Sequence, residues 1–231
     1  MSKTKTRFKD LEWAADAHSI LVLGAGGVSS WLALYLSRIG HKLTIYDFDS
    51  FEMSNLSGQL TSLNNLGLNK AQAIKNLIRD LGCDNLVHAI GNMYTEECDS
   101  NNIVFSGIDS MAGRKLAFEK WVTHQKSKTV RDPHEINIFM DFRMSPERAE
   151  LFCITKPSQI AKYQETLFSD DDANELPCGM KATTHCGAML ASHGVSVFNN
   201  LIMNKKYQFN VREVPFKVVS DLQNMDFHVE S

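Results

Sequence analysis

Four side chains and one turn hold the chemistry this chain could do. The turn, Gly24-Ala25-Gly26-Gly27-Val28-Ser29-Ser30, lies between an apolar run and an amphipathic segment. Glycines there permit positive φ and close backbone approach, while the free amides and dipole of a helix start attract an anionic phosphate. Alone the signal is weak: the dinucleotide fingerprint has glycine where Ser29 stands, and the phosphate-loop ending Gly-Lys-Ser/Thr is absent. A turn needed only for strand-to-helix packing is the alternative. Asp47, in "LTIYDFD", can accept from both hydroxyls of a ribose, a sugar that NAD and ATP share. Asn55 can donate and accept, and Lys70 opens a helical pattern as a mobile cation. A plain dinucleotide site requires neither, whereas a cation beside a phosphate chain suits reaction at phosphorus. Asp109, in "VFSGIDSMAGRK", falls where open sheets bind ligands, and a carboxylate beside a triphosphate is the natural ligand for Mg2+. Capping of the following helix is its other reading.

These residues need a scaffold, and the pattern supplies one. Residues 19–23, 43–46, 86–90 and 103–108 are short apolar runs of strand length. Helical spacing follows over 28–39, 68–81 and 112–124. Such alternation predicts a Rossmann-like α/β fold, a mostly parallel sheet with helices on both faces. Beyond residue 135 "INIFMDF" and "RAELFCIT", split by a turn at "RMSPE", predict antiparallel strands that extend the sheet. "FSDDDANELPCG" reads as a solvated loop, and residues 182–203 as a helix whose small residues Gly187, Ala188, Ala191 and Gly194 allow close packing. The tail from Tyr207 to Val219 alternates like one or two edge strands. The expectation is one domain over 1–231, with a nucleotide-binding half at 19–135 and an antiparallel extension with a helix at 136–231.

A formal net charge of -3 provides no basic field for nucleic acid or an anionic membrane. The N-terminus "MSKTKTRFKDLEWAADAHS" has no apolar stretch of signal-peptide length, so a soluble cytoplasmic protein is expected. Cys83, Cys98, Cys153, Cys178 and Cys186 are scattered and never form Cys-x-x-Cys, which predicts reduced thiols. His185, Cys186 and His193 do not have the spacing of a recognised ligand set.

Taken together, "VLGAGGVSS", "YDFDSFEMSNLSGQ", "LGLNKA" and "GIDSMAGRK" resemble, in order and spacing, the ThiF/MoeB/HesA adenylyltransferases related to ubiquitin-activating enzymes. The resemblance implies that ATP activates the C-terminal carboxylate of a ubiquitin-like protein or peptide as an acyl-adenylate, with release of pyrophosphate. It makes Gly24, Gly26 and Gly27 the phosphate turn and Asp47 the ribose ligand. Asn55 and Lys70 become phosphate contacts, and Asp109 the Mg2+ ligand. It implies a homodimer in which Arg7 is a candidate for an arginine lent to the partner's site. Cys178, with Lys181 nearby in sequence, becomes a candidate acceptor of the activated acyl group.

Two departures stand out. The family usually reads Asn-Leu-x-Arg-Gln, where this chain has Asn55-Leu56-Ser57-Gly58-Gln59. Gly58 cannot stabilise charge, so another cation substitutes, or phosphate binding is weaker, or activity is altered or lost. The last case would leave a nucleotide-binding module that recognises a partner. The paired Cys-x-x-Cys of many relatives is absent, so no structural zinc is expected. An NAD or flavin oxidoreductase is the remaining alternative; Asp47 suits it and Ser29 does not.

Overall fold

The computed structural model describes residues 8, 10–83, 86–129, 132–168 and 183–231. Strand β1 (Ser19–Leu23) passes through the glycine turn into α1 (Ser29–Ile39), and β2 (Lys42–Tyr46) runs by a longer connection to α2 (Lys70–Asp80). Next come β3 (Val87–Ile90), β4 (Ile103–Ser106), α3 (Met111–Ser127) and the hairpin of β5 (Ile138–Met144) and β6 (Arg148–Ile154). Helices α4 (Gln159–Gln164) and α5 (Thr184–Tyr207) precede β7 (Lys217–Asp221) and β8 (Asp226–Glu230). All eight strands form one sheet in the order β3-β2-β1-β4-β5-β6-β7-β8. Pairing is parallel from β3 to β5 and antiparallel from β5 to β8.

The order reverses between β1 and β4, and register places Leu23 level with Tyr46 and Ser106. The carboxyl ends of β1, β2 and β4 therefore open together at a topological switch point, where sheets of this kind hold ligands. Alternate residues of β1 feed opposite cores. Ile20 and Val22 join Leu32 and Leu36 of α1, Ile74 of α2 and Phe198 of α5. Leu21 and Leu23 join Phe118 and Trp121 of α3 and Tyr163 of α4. Burial on both faces is why these strands read as unbroken apolar runs.

The small residues of α5 serve close packing: a Cβ on Gly194 would lie 2.5 Å from the Phe142 ring. The tail departs from expectation. Helix α5 continues through Tyr207, and the last two strands fall at 217–221, paired on both sides, and at 226–230, the sheet edge, joined by a turn with Met225 at φ 53°. Alternation over 207–219 misled because its exposed Phe209 and Val211 have no neighbouring strand to pair with. The hairpin turn is also shorter than expected, since Arg143 and Met144 remain in β5. No helix among the described residues is long and apolar enough to cross a membrane.

At the amino ends of the strands His41 is fully buried and accepts the His18 amide at Nδ1, 3.2 Å away, which places its proton on Nε2. Burial, with a smaller contribution from His18, pushes the His41 pKa down to about 3. An unfolded chain takes up that proton near pH 6.5, so the fold has its full stability above that value and loses it as pH falls towards the depressed pKa. Between pH 6.5 and 5 the expected loss is about 2 kcal/mol, at ~1.4 kcal/mol per unit. Urea unfolding across that window measures it, and His41→Gln, which keeps an acceptor for the His18 amide, should remove the His41 share and leave those of His18, His124 and His193, whose pKa values burial also lowers.

Candidate active site

The glycine turn is built from three different demands. Gly24 has φ 88°, and a Cβ there would approach the Gly107 carbonyl oxygen to 3.0 Å. Its amide donates to Tyr46 O at 2.8 Å, while the Gly107 amide donates to Leu23 O at 2.8 Å. Gly24 is thus a requirement of the fold. Gly27 presents its carbonyl to α5, where a Cβ on Gly187 would come within 2.8 Å of the oxygen. Gly26 is different: its φ is not positive, and a Cβ would meet nothing within 4 Å. Ser29, at the position the dinucleotide fingerprint gives to glycine, is buried with its hydroxyl against Gly107. Ser30 Oγ accepts the Leu60 amide at 3.0 Å and ties the 58–62 segment to the turn.

Asp47 faces that turn. One carboxylate oxygen accepts the Ala25 amide at 2.6 Å and the other the Asp49 amide at 2.8 Å. Burial raises its pKa; the two backbone hydrogen bonds and the positive charge of Lys70 oppose the rise. Lys70 is the first residue of α2, with its amide on Asp49 O at 2.8 Å and its Nζ on Asp49 Oδ2 at 2.9 Å. Asn69 caps the same helix, accepting the Gln72 amide at 3.1 Å, and donates to Asp47 O at 2.7 Å and Asp49 O at 3.1 Å. Lys70, Asp49, Asp47 and Ala25 are therefore joined by consecutive contacts from the start of α2 to the glycine turn.

Asn55 lies in a 3-10 turn, Met53–Ser57, where its Oδ1 accepts the Glu52 amide at 2.9 Å. Its carbonyl oxygen is thereby committed locally, and the amide donors remain for a ligand. Gly58 ends that turn and is buried. Thr184 of α5 donates its hydroxyl to Ser57 O, which brings the start of α5 against the same segment. Asp109 is exposed, just beyond the β4 end that abuts Gly24. It does not cap α3: Ser110 does, its Oγ accepting the Gly113 amide at 3.2 Å.

The sequence reading missed a buried cluster beneath α3. Asp141 of β5, fully buried, accepts from Arg114 Nη1, from Arg143 Nε at 2.6 Å and from the Tyr163 hydroxyl at 3.0 Å. The detectable signal is an acid and a base inside an otherwise apolar strand, "IFMDFRM". Cys186 is buried, and burial raises its thiol pKa, which disfavours a thiolate. His185 is exposed, and the His193 ring stands 5.1 Å from that of Phe227. Arg7, Cys178, Lys181 and most of the expected 168–179 loop lie outside the described residues. Among the described residues no three His, Cys, Asp or Glu side chains group as a metal site.

The ThiF family model matches residues 9–203. The chain is 36% identical over 91 residues to the tRNA threonylcarbamoyladenosine dehydratase of Escherichia coli, covering 38% of this chain and 34% of that protein. It is 30% identical over 115 residues to the adenylyltransferase and sulfurtransferase MOCS3 of Aedes aegypti, covering 47% and 26%. The matches thus span about a third and about a quarter of these relatives' lengths. In fold it is similar to PaaA, with a TM-score of 0.67, 16% identity, and coverage of 95% of this chain and 74% of PaaA. Escherichia coli MccB solved with ATP gives 0.66 and 14%, covering 95% of this chain and 64% of MccB. With the family model covering most of its length and the same Rossmann-type sheet, this chain belongs to the ThiF family.

Proposed function

We propose that this chain is an ATP-dependent adenylyltransferase that activates the terminal carboxylate of a ubiquitin-like protein or peptide as an acyl-adenylate, with pyrophosphate as the leaving group. The observation that carries the proposal is Gly26. Neither its φ nor any neighbour demands glycine, so the open space over its Cα serves a group from outside the protein. At the start of α1, with amides and helix dipole facing out, that group is a phosphate.

The other roles follow from position. Asp47 has about four lone-pair sites and two are taken by amides, which leaves room for both ribose hydroxyls. Lys70 and the amide of Asn55 contact phosphate oxygens. Asp109, free of capping duty, would hold Mg2+ together with the phosphates, and the ion would offset charge on them. Adenylation requires little else: the carboxylate oxygen attacks the α-phosphorus in line, pyrophosphate departs, and cations stabilise the added charge. Gly58 leaves the phosphates without the family's arginine, and Arg7 of a second copy is the candidate for the further arginine that relatives borrow from a partner subunit.

A relative named as a ubiquitin-like modifier-activating enzyme supports the substrate class, and one named as an adenylyltransferase supports the reaction. One relative is named for tRNA modification, but a net charge of -3 offers no field for RNA. Gly26→Ala tests the carrying observation. Its stability should stay within about 1 kcal/mol of the parent, since nothing is displaced. Affinity for ATP with Mg2+ should fall about tenfold, the size of effect one misplaced phosphate contact produces. Thermal shift with ATP and with NAD separates the oxidoreductase alternative, and unchanged ATP affinity in Gly26→Ala would sink the phosphate assignment. The acyl partner is sought by mass spectrometry of proteins that co-purify in ATP.

A further inference from the structure

We infer that Asp49 sets how the site discriminates among nucleotides by the length of their phosphate chain, because it holds the ammonium of Lys70 whenever no phosphate does. The inference rests on the nucleotide site proposed above and adds a residue to it. Asp49 is an exposed acid two positions beyond Asp47, and Lys70 Nζ lies 2.9 Å from its Oδ2. The Lys70 side chain is 12% exposed and that of Asp49 49%. The lysine is therefore confined, and the acid is reachable by solvent and ligand.

The backbone of Asp49 does separate work. Its amide donates to Asp47 Oδ1 at 2.8 Å, and its carbonyl accepts from the Lys70 amide at 2.8 Å and from Asn69 Nδ2 at 3.1 Å. All three bonds survive replacement of the carboxylate by a carboxamide, so Asp49→Asn removes one charge and leaves the frame between the glycine turn and α2 in place. A nucleotide that uses Lys70 must first take it from Asp49. A di- or triphosphate, with several charged oxygens in reach, can do so; a nucleoside has nothing to offer. Once pyrophosphate has formed and begun to leave, the carboxylate recaptures the ammonium, which favours release.

The test is a double-mutant cycle on equilibrium binding of ATP with Mg2+ and of adenosine to the full chain, with Asp49→Asn, Lys70→Ala and the double variant. Asp49→Asn should tighten ATP about threefold to fivefold, the fold-change matching the upper range for a partly exposed ion pair. Adenosine affinity should stay within twofold. In the Lys70→Ala background the same change should alter ATP affinity by less than twofold. Asp49→Asn that leaves ATP affinity unchanged, weakens it, or acts equally with and without Lys70 would overturn the inference. If the parent chain binds no ATP, the nucleotide site itself is refuted; ATP binding without the cycle's coupling refutes only the role of Asp49.

Discussion

Asp109→Asn should lower ATP-pyrophosphate exchange, measured with the acyl partner present, by about 100- to 1,000-fold, the range for losing one electrostatic contact to the transition state. The substitution keeps side-chain size and removes only the charge. Stability should stay within about 0.5 kcal/mol, as for exposed positions without structural duty. The helix-capping duty that would confuse the result belongs to Ser110, whose hydroxyl accepts the Gly113 amide. Ser110→Ala is thus the matched control: it should cost about 1 kcal/mol of stability through loss of the cap and leave exchange within a few-fold of the parent. If instead Asp109→Asn turned over within threefold of the parent, the metal and transition-state role given to Asp109 would be wrong, and the fold would need another acid at its switch point.

The same contrast between Asp109 and Ser110 shows what a sequence can disclose. The position of Asp109 was legible because strand, Gly-x-Asp and helix follow in order, and the end of a parallel strand is a known place for chemistry. Which of two neighbouring polar residues caps the helix depends on φ and ψ at Ser110, -83° and 141°, which no spacing records. The parallel half was readable for a similar reason: β1 and β4 are buried on both faces and leave apolar runs, and β2 alternates with Leu43 and Ile45 buried. Strand β8 leaves none, since Asp226 to Val229 are exposed and its place comes from pairing with β7. Helix α4 is six residues long with only Tyr163 buried, too short for a periodic signal. Asp49 has no place in the sequence pattern; its contact with Lys70 exists only because α2 folds back across 21 residues. The acid and base in "IFMDFRM" mark Asp141 and Arg143, but the other partners of Asp141 come from α3 and α4, which no local spacing records.

Asp141→Asn should destabilise the fold by about 3–5 kcal/mol, the cost of removing one partner from a buried ion pair. Asp141 is fully buried, and the side chains of Arg114 and Arg143 are only 7% and 13% exposed. With the carboxylate gone, two guanidinium groups share one neutral amide. They are not equally stranded. Arg143 keeps Thr166 O at 2.9 Å, Thr166 Oγ1 at 3.0 Å and the Phe152 ring 4.4 Å below its guanidinium carbon. Among the described residues Arg114 keeps only Phe142 O at 3.1 Å, and its Nε is already buried with no partner among them. The penalty therefore falls mainly on Arg114 and on the α3 turn that carries it. Tyr163→Phe makes the comparison sharp: it removes one hydroxyl donor from the same carboxylate and should cost about 1 kcal/mol, as for an ordinary hydrogen bond. Urea unfolding of both variants reads the difference. Equal losses would mean that Asp141 acts as a hydrogen-bond acceptor rather than as a counter-charge. A loss confined to Asp141→Asn, with exchange reduced along with it, would mean that the carboxylate under α3 fixes the helix start on which Asp109 stands.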